Sequence, residues 1–293
     1  MANRPVLQTR GIQLHLSHYD PVWYERKARE KPFDLRTGLE AIDAMAEVGL
    51  NLLVIDCEDG VKYASHPELA RPYSVPMSTL RALVERAGER GVEVVPKLNF
   101  SRSNWHHHND WFRPHHRKWG MFDTPEYWRL AMEVVDELIA NCRPRRFFHV
   151  GMDEDHDRTY DQYARAIVTL RRLLKARGLR PVVWNDTAYL FPETAIHHEK
   201  CLYAEPRIPK DVVEVVWQYE TTKPRVPRRL KSEGFQDVWV APGLDPEKVA
   251  KAVKVAKACG CTGILLTRWR PTYRKDRKAI LNWIRTDGPI CST

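Results

Sequence analysis

The stretch Arg146-Phe147-Phe148-His149-Val150-Gly151-Met152-Asp153-Glu154 decides the reading of this chain. Residues that favour a buried strand run into a glycine, and two adjacent carboxylates follow at once. A buried strand that ends in paired acids is how a barrel enzyme presents carboxyl chemistry at its active face. In an arbitrary loop such a pair would only open a solvated turn. The segments on either side of it argue for the barrel.

Outward from this stretch, strand-like and helix-like segments alternate. Upstream, Gly11 to Ser17, Asn51 to Cys57 and Val92 to Asn99 read as strands. Leu35 to Val48, Met77 to Glu89 and Pro125 to Asn141 read as helices, the last with Thr124 as N-cap. Downstream, strands are expected at 181–185, 212–218, 237–241 and 262–267. Helices are expected at 160–176, 226–232, 245–258 and 274–284. Strand runs alternating with helical runs imply βαβ units and a parallel sheet. Eight such repeats in 293 residues fit a (β/α)₈ TIM barrel of class α/β, one domain over 1–293. A doubly wound sheet is the runner-up, and no Gly-rich phosphate loop follows the first strand to support it. The long connections, 100–123 and 187–211, both follow strands, where a barrel carries its active-site loops.

Composition narrows the class. Hydrophobic residues make up 43% and charged residues 29%, as in an ordinary globular protein. No apolar run approaches membrane-spanning length, so no membrane partner is expected. The N-terminus lacks the apolar core of a signal peptide. Cysteines 57, 142, 201, 259, 261 and 291 are irregularly spaced, which suggests reduced thiols and a cytoplasmic location. The net charge of +9 raises a polyanionic partner. The basic residues are spread over helical faces, however, which argues against nucleic acid. Oligomeric state is left open.

A barrel gathers its strand ends at one mouth. Those ends supply His15 and His18, then Asp56, Glu58 and Asp59, then Lys97 and Asn99. His149, Asp153 and Glu154 follow, then Trp184, Asn185 and Asp186, then Trp217, Gln218 and Tyr219, and last Arg268 and Trp269. Indole faces stack on pyranose rings, and carboxylates bind hydroxyls and protonate glycosidic oxygens. The bland alternative for Trp184, Trp217 and Trp269 is core packing. A carbohydrate substrate is the expected partner. Trp105, Trp111 and Trp119 are possible lid contacts, and Trp23, Trp128, Trp239 and Trp283 are read as structural or loop residues.

The motif His149-Val-Gly-Met-Asp153-Glu154 resembles the His-x-Gly-x-Asp-Glu signature of family 20 glycoside hydrolases, the β-N-acetylhexosaminidases. Arg10-Gly11 resembles that family's arginine for sugar hydroxyls. Asn51-Leu-Leu-Val-Ile and His66-Pro67-Glu68 resemble its strand-two region. Trp184-Asn-Asp186 and Trp217 match its sugar-pocket walls. The resemblance covers most of the chain as a catalytic barrel, without the usual preceding accessory domain. It implies substrate assistance. No cofactor and no metal are expected. Glu154 would be general acid and base, and Asp153 would orient the 2-acetamido group. Taken together with the strand-end positions, the expected substrate contacts are Arg10, His15, Asn99, His149, Trp184, Asp186, Trp217, Tyr219 and Trp269.

Several positions depart from the family. His15 stands near the place of its first-strand aspartate. Asn99-Phe-Ser-Arg replaces its Pro-Gly-His. Ala241-Pro242-Gly243 stands where a strand-seven tyrosine would hold the acetamide, with Tyr219 or Tyr203 as substitutes. Two rival readings follow. One is a glycosidase for a non-acetamido sugar, which needs a further carboxylate such as Asp186 or Glu205. The other is a glycan-binding barrel without turnover.

The histidines 106, 107, 108, 115 and 116 invite a metal reading. Consecutive histidines cannot all face one ion, so a solvated loop is preferred. Asp155 is read as loop and His156 as a candidate for supporting the site. Asp56, Glu58 and Asp59 are read either as ion partners of Lys97 or Arg10 or as binding residues.

Overall fold

The computed structural model describes residues 7–17, 30–102, 122–188 and 195–293. His18, Trp23, Trp105, Trp111, Trp119 and the five histidines between 106 and 116 lie outside the described residues.

Eight parallel strands close into a barrel. They are β1 (Thr9–His15), β2 (Leu52–Asp56), β3 (Glu93–Lys97), β4 (Phe147–Gly151), β5 (Arg180–Asn185), β6 (Val213–Gln218), β7 (Val238–Pro242) and β8 (Gly263–Pro271). Each pairs with its sequence neighbours, and β1 closes the ring on β8. Among the described residues, eight helices follow the strands in turn: α1 (Leu35–Glu47), α2 (Met77–Glu89), α3 (Pro125–Cys142), α4 (Tyr160–Lys175), α5 (Ala195–Ala204), α6 (Arg225–Ser232), α7 (Pro246–Ala258) and α8 (Arg277–Cys291). The expected (β/α)₈ barrel is the observed fold.

Local chemistry sets the helix starts. Asp34 accepts the Thr37 N–H at 2.8 Å to cap α1. Thr124 caps α3 as expected, and Thr159 and Gln162 form a reciprocal capping box on α4. Two elements escaped the sequence. Helix α5 lies inside the presumed 187–211 loop, and Val61–Lys62 pairs with Val75–Pro76 as a short parallel ribbon beside the mouth. The last helix begins and ends later than its 274–284 expectation.

The period of two along the strands separates two apolar layers. Leu52, Val54, Val95, Phe147, Val182, Val213, Val215, Trp239 and Leu265 fill the barrel interior. Leu53, Ile55, Val94, Phe148, Val183, Val216, Val240 and Leu266 pack outward under the helices. At the carboxyl ends the inward row changes character. His15, Asp56, Lys97 and His149 stand side by side in register on β1 to β4. Trp184, Trp217 and Trp269 come from β5, β6 and β8. The floor of the mouth is therefore polar on one half and aromatic on the other.

Candidate active site

The acid pair sits on an irregular turn. Strand β4 bulges between His149 and Gly151, so Val150 is an extra residue against β5. Gly151, Met152 and Glu154 then adopt positive φ of 67°, 73° and 52°. Left-handed backbone at Met152 and Glu154 costs of order 1–3 kcal/mol each and persists only where surroundings hold it. Glycine is required at 151 for a second reason, since a Cβ there would lie 2.2 Å from Asn99 Oδ1.

The surroundings supply the hold. Asn99 Oδ1 accepts N–H bonds from Met152 and Ser101, both at 3.0 Å. Its amide nitrogen donates to Asp153 Oδ1 at 2.7 Å. On the other side, Asp186 Oδ2 accepts the Glu154 N–H at 2.9 Å. Asp153 thus leans toward β3 while Glu154 is anchored toward β5. Asp153 is buried, and Glu154 is partly open.

Beneath them lies a buried charge cluster. Lys97 Nζ is 2.9 Å from Asp56 Oδ2 and 3.0 Å from Glu58 Oε1. His15 Nδ1 is 3.0 Å from the same Asp56 oxygen. Burial pushes the Asp56 pKa up, but Lys97 and His15 overcome it and hold the carboxyl well below its usual range. Burial likewise opposes the Lys97 charge, and Asp56, Glu58 and Asp153 restore it. Of the two cationic partners the sequence suggested for these acids, Lys97 is the observed one. Asp59 instead bonds Ser17 at 3.0 Å and Tyr73 at 2.7 Å.

His149 is neutral in this setting. Burial, then the Lys97 charge, pushes its pKa down to about 3. Its Nδ1 accepts the Gly151 N–H at 3.1 Å, so its proton belongs on Nε2. Asp186 is pushed the opposite way, well above an ordinary carboxyl, by burial and then by the Asp153 charge.

The aromatic half is continuous. The Trp184 ring lies 4.8 Å from His149 and 5.9 Å from Trp269, and Trp269 lies 5.1 Å from His15. Trp217 stands 5.4 Å from Tyr219, and its indole N–H donates to Asp186 Oδ1 at 2.7 Å. The Tyr219 oxygen accepts from Trp269 Nε1 and Thr267 Oγ1. Thr267 and Gln13 were missed in the sequence. Both are inward polar positions on β8 and β1, which the period of two would have shown.

Asp153, Glu154, His15, Asn99, His149, Trp184, Asp186, Trp217, Tyr219 and Trp269 are thus gathered at one mouth. Arg10 is not. It lies near the start of β1, and its guanidinium donates to Gly49 O at 2.9 Å and Leu7 O at 2.7 Å, tying the opposite end of the barrel. An arginine just before a strand's carboxyl end would face the mouth; one at its amino end cannot. Glu205 also falls away, bound to Arg229 at 2.8 Å and Asn185 at 3.0 Å under the helices. Tyr203 bonds Asp161 on the outer surface. Asp155 is no open loop residue: Arg158 lies 2.7 Å and Lys200 3.3 Å from its buried carboxylate. His156 pairs with His197 of α5 at 2.8 Å, behind the Glu154 turn. His66 bonds Glu68 and Glu133 in the α3 contact.

No family model matches the sequence, and no curated protein does. Solved structures match over nearly the whole chain. A β-hexosaminidase of Streptomyces plicatus with bound GlcNAc is 15% identical at a TM-score of 0.71, covering 98% of this chain and 64% of that one. The family 20 exo-β-N-acetylglucosaminidase of Vibrio harveyi is 14% identical at 0.66, covering 98% and 54%. The β-N-acetylhexosaminidase of Bacteroides fragilis is 13% identical at 0.64, covering 96% and 65%. This chain spans between about half and two thirds of their lengths. What is shared at such identities is architecture: this chain folds as a (β/α)₈ barrel similar to those of glycoside hydrolase family 20 structures.

Proposed function

We propose that the chain is a glycosidase that removes terminal β-linked N-acetylhexosamine with help from the substrate's own acetamide. The observation that carries this is the Asp153–Glu154 pair on its bulged turn, at the mouth where Trp184, Trp217, Tyr219 and Trp269 pack together. Glu154, the more open acid, protonates the glycosidic oxygen as the bond to the anomeric carbon breaks. The acetamido carbonyl oxygen attacks that carbon from the other face. Asp153, on the side of the Lys97 ammonium, accepts the acetamide N–H and balances the positive charge that develops on the ring. Glu154 then takes a proton from water as the water attacks, and the configuration is retained.

Tyr219 supports the acetamide reading. Ala241-Pro242-Gly243 offers no hydroxyl, but the chain at Tyr219 runs beside it, since a Cβ at Gly243 would lie 2.1 Å from the Tyr219 carbonyl oxygen. The Tyr219 oxygen accepts two bonds, which leaves its own proton to donate toward the carbonyl. A covalent mechanism on a non-acetamido sugar needs a third carboxylate. Glu205 is held outside the barrel, and both Asp186 oxygens already accept protein N–H bonds. The six cysteines are all free and buried, which supports the reducing, cytoplasmic setting we infer.

Hydrolysis of an aryl N-acetyl-β-glucosaminide tests the proposal. Wild type should turn it over, Glu154→Gln should lose roughly 10²–10⁴-fold, and a thiazoline analogue should inhibit. Equal rates in wild type and Glu154→Gln would overturn the assignment.

A further inference from the structure

We propose that Asp186 is a positioning residue that joins the proton donor to the aromatic wall, so that Glu154 and Trp217 are set as one unit. The inference rests on the reading of Glu154 as proton donor. Asp186 opens the short turn Asp186–Ala188 directly after β5 and is 2% exposed. Its two oxygens are divided between two jobs. Oδ2 accepts the Glu154 main-chain N–H at 2.9 Å, and Oδ1 accepts the Trp217 indole N–H at 2.7 Å.

The first bond fixes a residue whose backbone is left-handed at φ 52° and would relax without a partner. The second fixes the tilt of an indole that lines the mouth. A sugar stacked on Trp217 is thereby held at a defined place relative to the Glu154 carboxyl. Proton transfer is sensitive to such placement at the level of about 1 Å.

The choice of a carboxyl here is costly. Burial and the neighbouring Asp153 charge both oppose its ionisation. An asparagine would remove that cost but could accept only one of the two N–H groups, because its amide nitrogen would face the other. The two-acceptor requirement explains why an acid stands at this position.

The test is a double-mutant cycle on the intact chain: wild type, Asp186→Asn, Trp217→Phe and the double variant, with kcat and KM for the aryl N-acetyl-β-glucosaminide. Asp186→Asn should lower kcat by about 10–100-fold. In the Trp217→Phe background the same change should cost less than about threefold, because phenylalanine presents no N–H and the asparagine oxygen is free for Glu154. Equal losses in both backgrounds would overturn the linkage and leave Asp186 a local structural residue. If Asp186→Asn does not fold, Trp217→Phe decides the matter alone. The backbone amide of Glu154 in a ¹⁵N–¹H spectrum should shift and exchange faster than in wild type, whereas an unchanged Glu154 amide would overturn the proposal. That readout needs no turnover. If wild type hydrolyses nothing while the amide responds, the linkage stands and the proton-donor reading falls.

Discussion

Asn99 donates its amide N–H to Asp153 Oδ1 across 2.7 Å, and the direction of that bond is not free to reverse. The other end of the amide already accepts from Ser101 N, Ser101 Oγ and Met152 N. The nitrogen must therefore face Asp153, which makes the bond charge-assisted when Asp153 is ionised. Removing it with Asn99→Ala should cost about 1.5–3 kcal/mol, roughly 10–100-fold in kcat/KM. Asn99→Asp keeps the shape and the three accepted bonds but sets two carboxylates against each other. One of them then holds a proton at neutral pH. The acid limb of its pH–rate profile should move to higher pH, with part of the lost activity recovered above neutrality. A profile that superimposes on wild type would mean that Asp153 need not be ionised.

Gly151 is where fold and site are hardest to separate. Its φ of 67° disfavours any side chain, and a Cβ would overlap Asn99 Oδ1 at 2.2 Å. Gly151→Ala should destabilise the protein by roughly 2–4 kcal/mol and displace Asn99 from Asp153. The loss in kcat/KM should match or exceed that of Asn99→Ala. Thermal unfolding and kinetics on the same preparation check both halves. A stable, fully active Gly151→Ala protein would contradict the turn geometry.

Glu214 offers a stability test away from the chemistry. It is buried on β6, and burial, then the Glu205 charge, pushes its pKa up to about 8. A raised carboxyl pKa means that the folded chain binds a proton which the unfolded chain has released. This group therefore favours folding below its unfolded pKa of about 4.3. The advantage is lost as pH rises toward about 8 and stays lost above that. Glu214→Gln removes the ionisation. Relative to wild type, the variant should gain a few kcal/mol in unfolding free energy between pH 5 and pH 9. Urea unfolding across that range reads the difference directly, and parallel curves for the two proteins would disprove it.

The strand and helix pattern was legible because each kind of element has its own signature. Short apolar runs such as Leu52–Ile55 and Val215–Trp217, each closed by a polar residue, and caps such as Thr124 and Asp245, left few other arrangements. Helix α5 was not legible, because Ala195–Ala204 carries two histidines, a glutamate and a lysine with no apolar stripe. Position at the carboxyl end of a strand placed most mouth residues. It failed for Arg10, whose significance came from neighbouring letters rather than from its height on the strand. Asp186 was found at the mouth, but its two N–H partners, Glu154 and Trp217, were not legible. A sequence shows that an acid follows a strand, not that two N–H groups from other segments already occupy both of its oxygens. The Lys97 cluster was only half visible, since the choice between Lys97 and Arg10 as cation depended on which end of the barrel each occupies.

Lys97 is the ammonium on which that buried cluster turns, and its removal should separate two effects. With Lys97→Met, Asp56 and Glu58 lose a partner 2.9 and 3.0 Å away while remaining out of water. Breaking a buried pair on one side costs about 3–5 kcal/mol. For a chain of this size that is a fall in Tm of at least about 6 °C. The sign of the pH dependence also reverses at Asp56. In wild type its pKa is depressed, so it contributes stability above the unfolded value near 3.9 and loses it in acid. Without the ammonium, burial dominates and the carboxyl holds its proton, so the penalty of the substitution should be larger at pH 8 than at pH 4. Glu58 adds to the case, because its own φ of 36° is a strained conformation that places its carboxylate on Lys97. Adding Glu58→Gln to Lys97→Met should recover part of the lost Tm at pH 8 by removing one carboxylate that has lost the ammonium. Recovery at pH 4 should be smaller, since acid drives carboxylates toward their neutral form. A Tm loss independent of pH, or no recovery in the double variant, would mean that packing of the lysine stem, rather than its charge, holds this half of the floor.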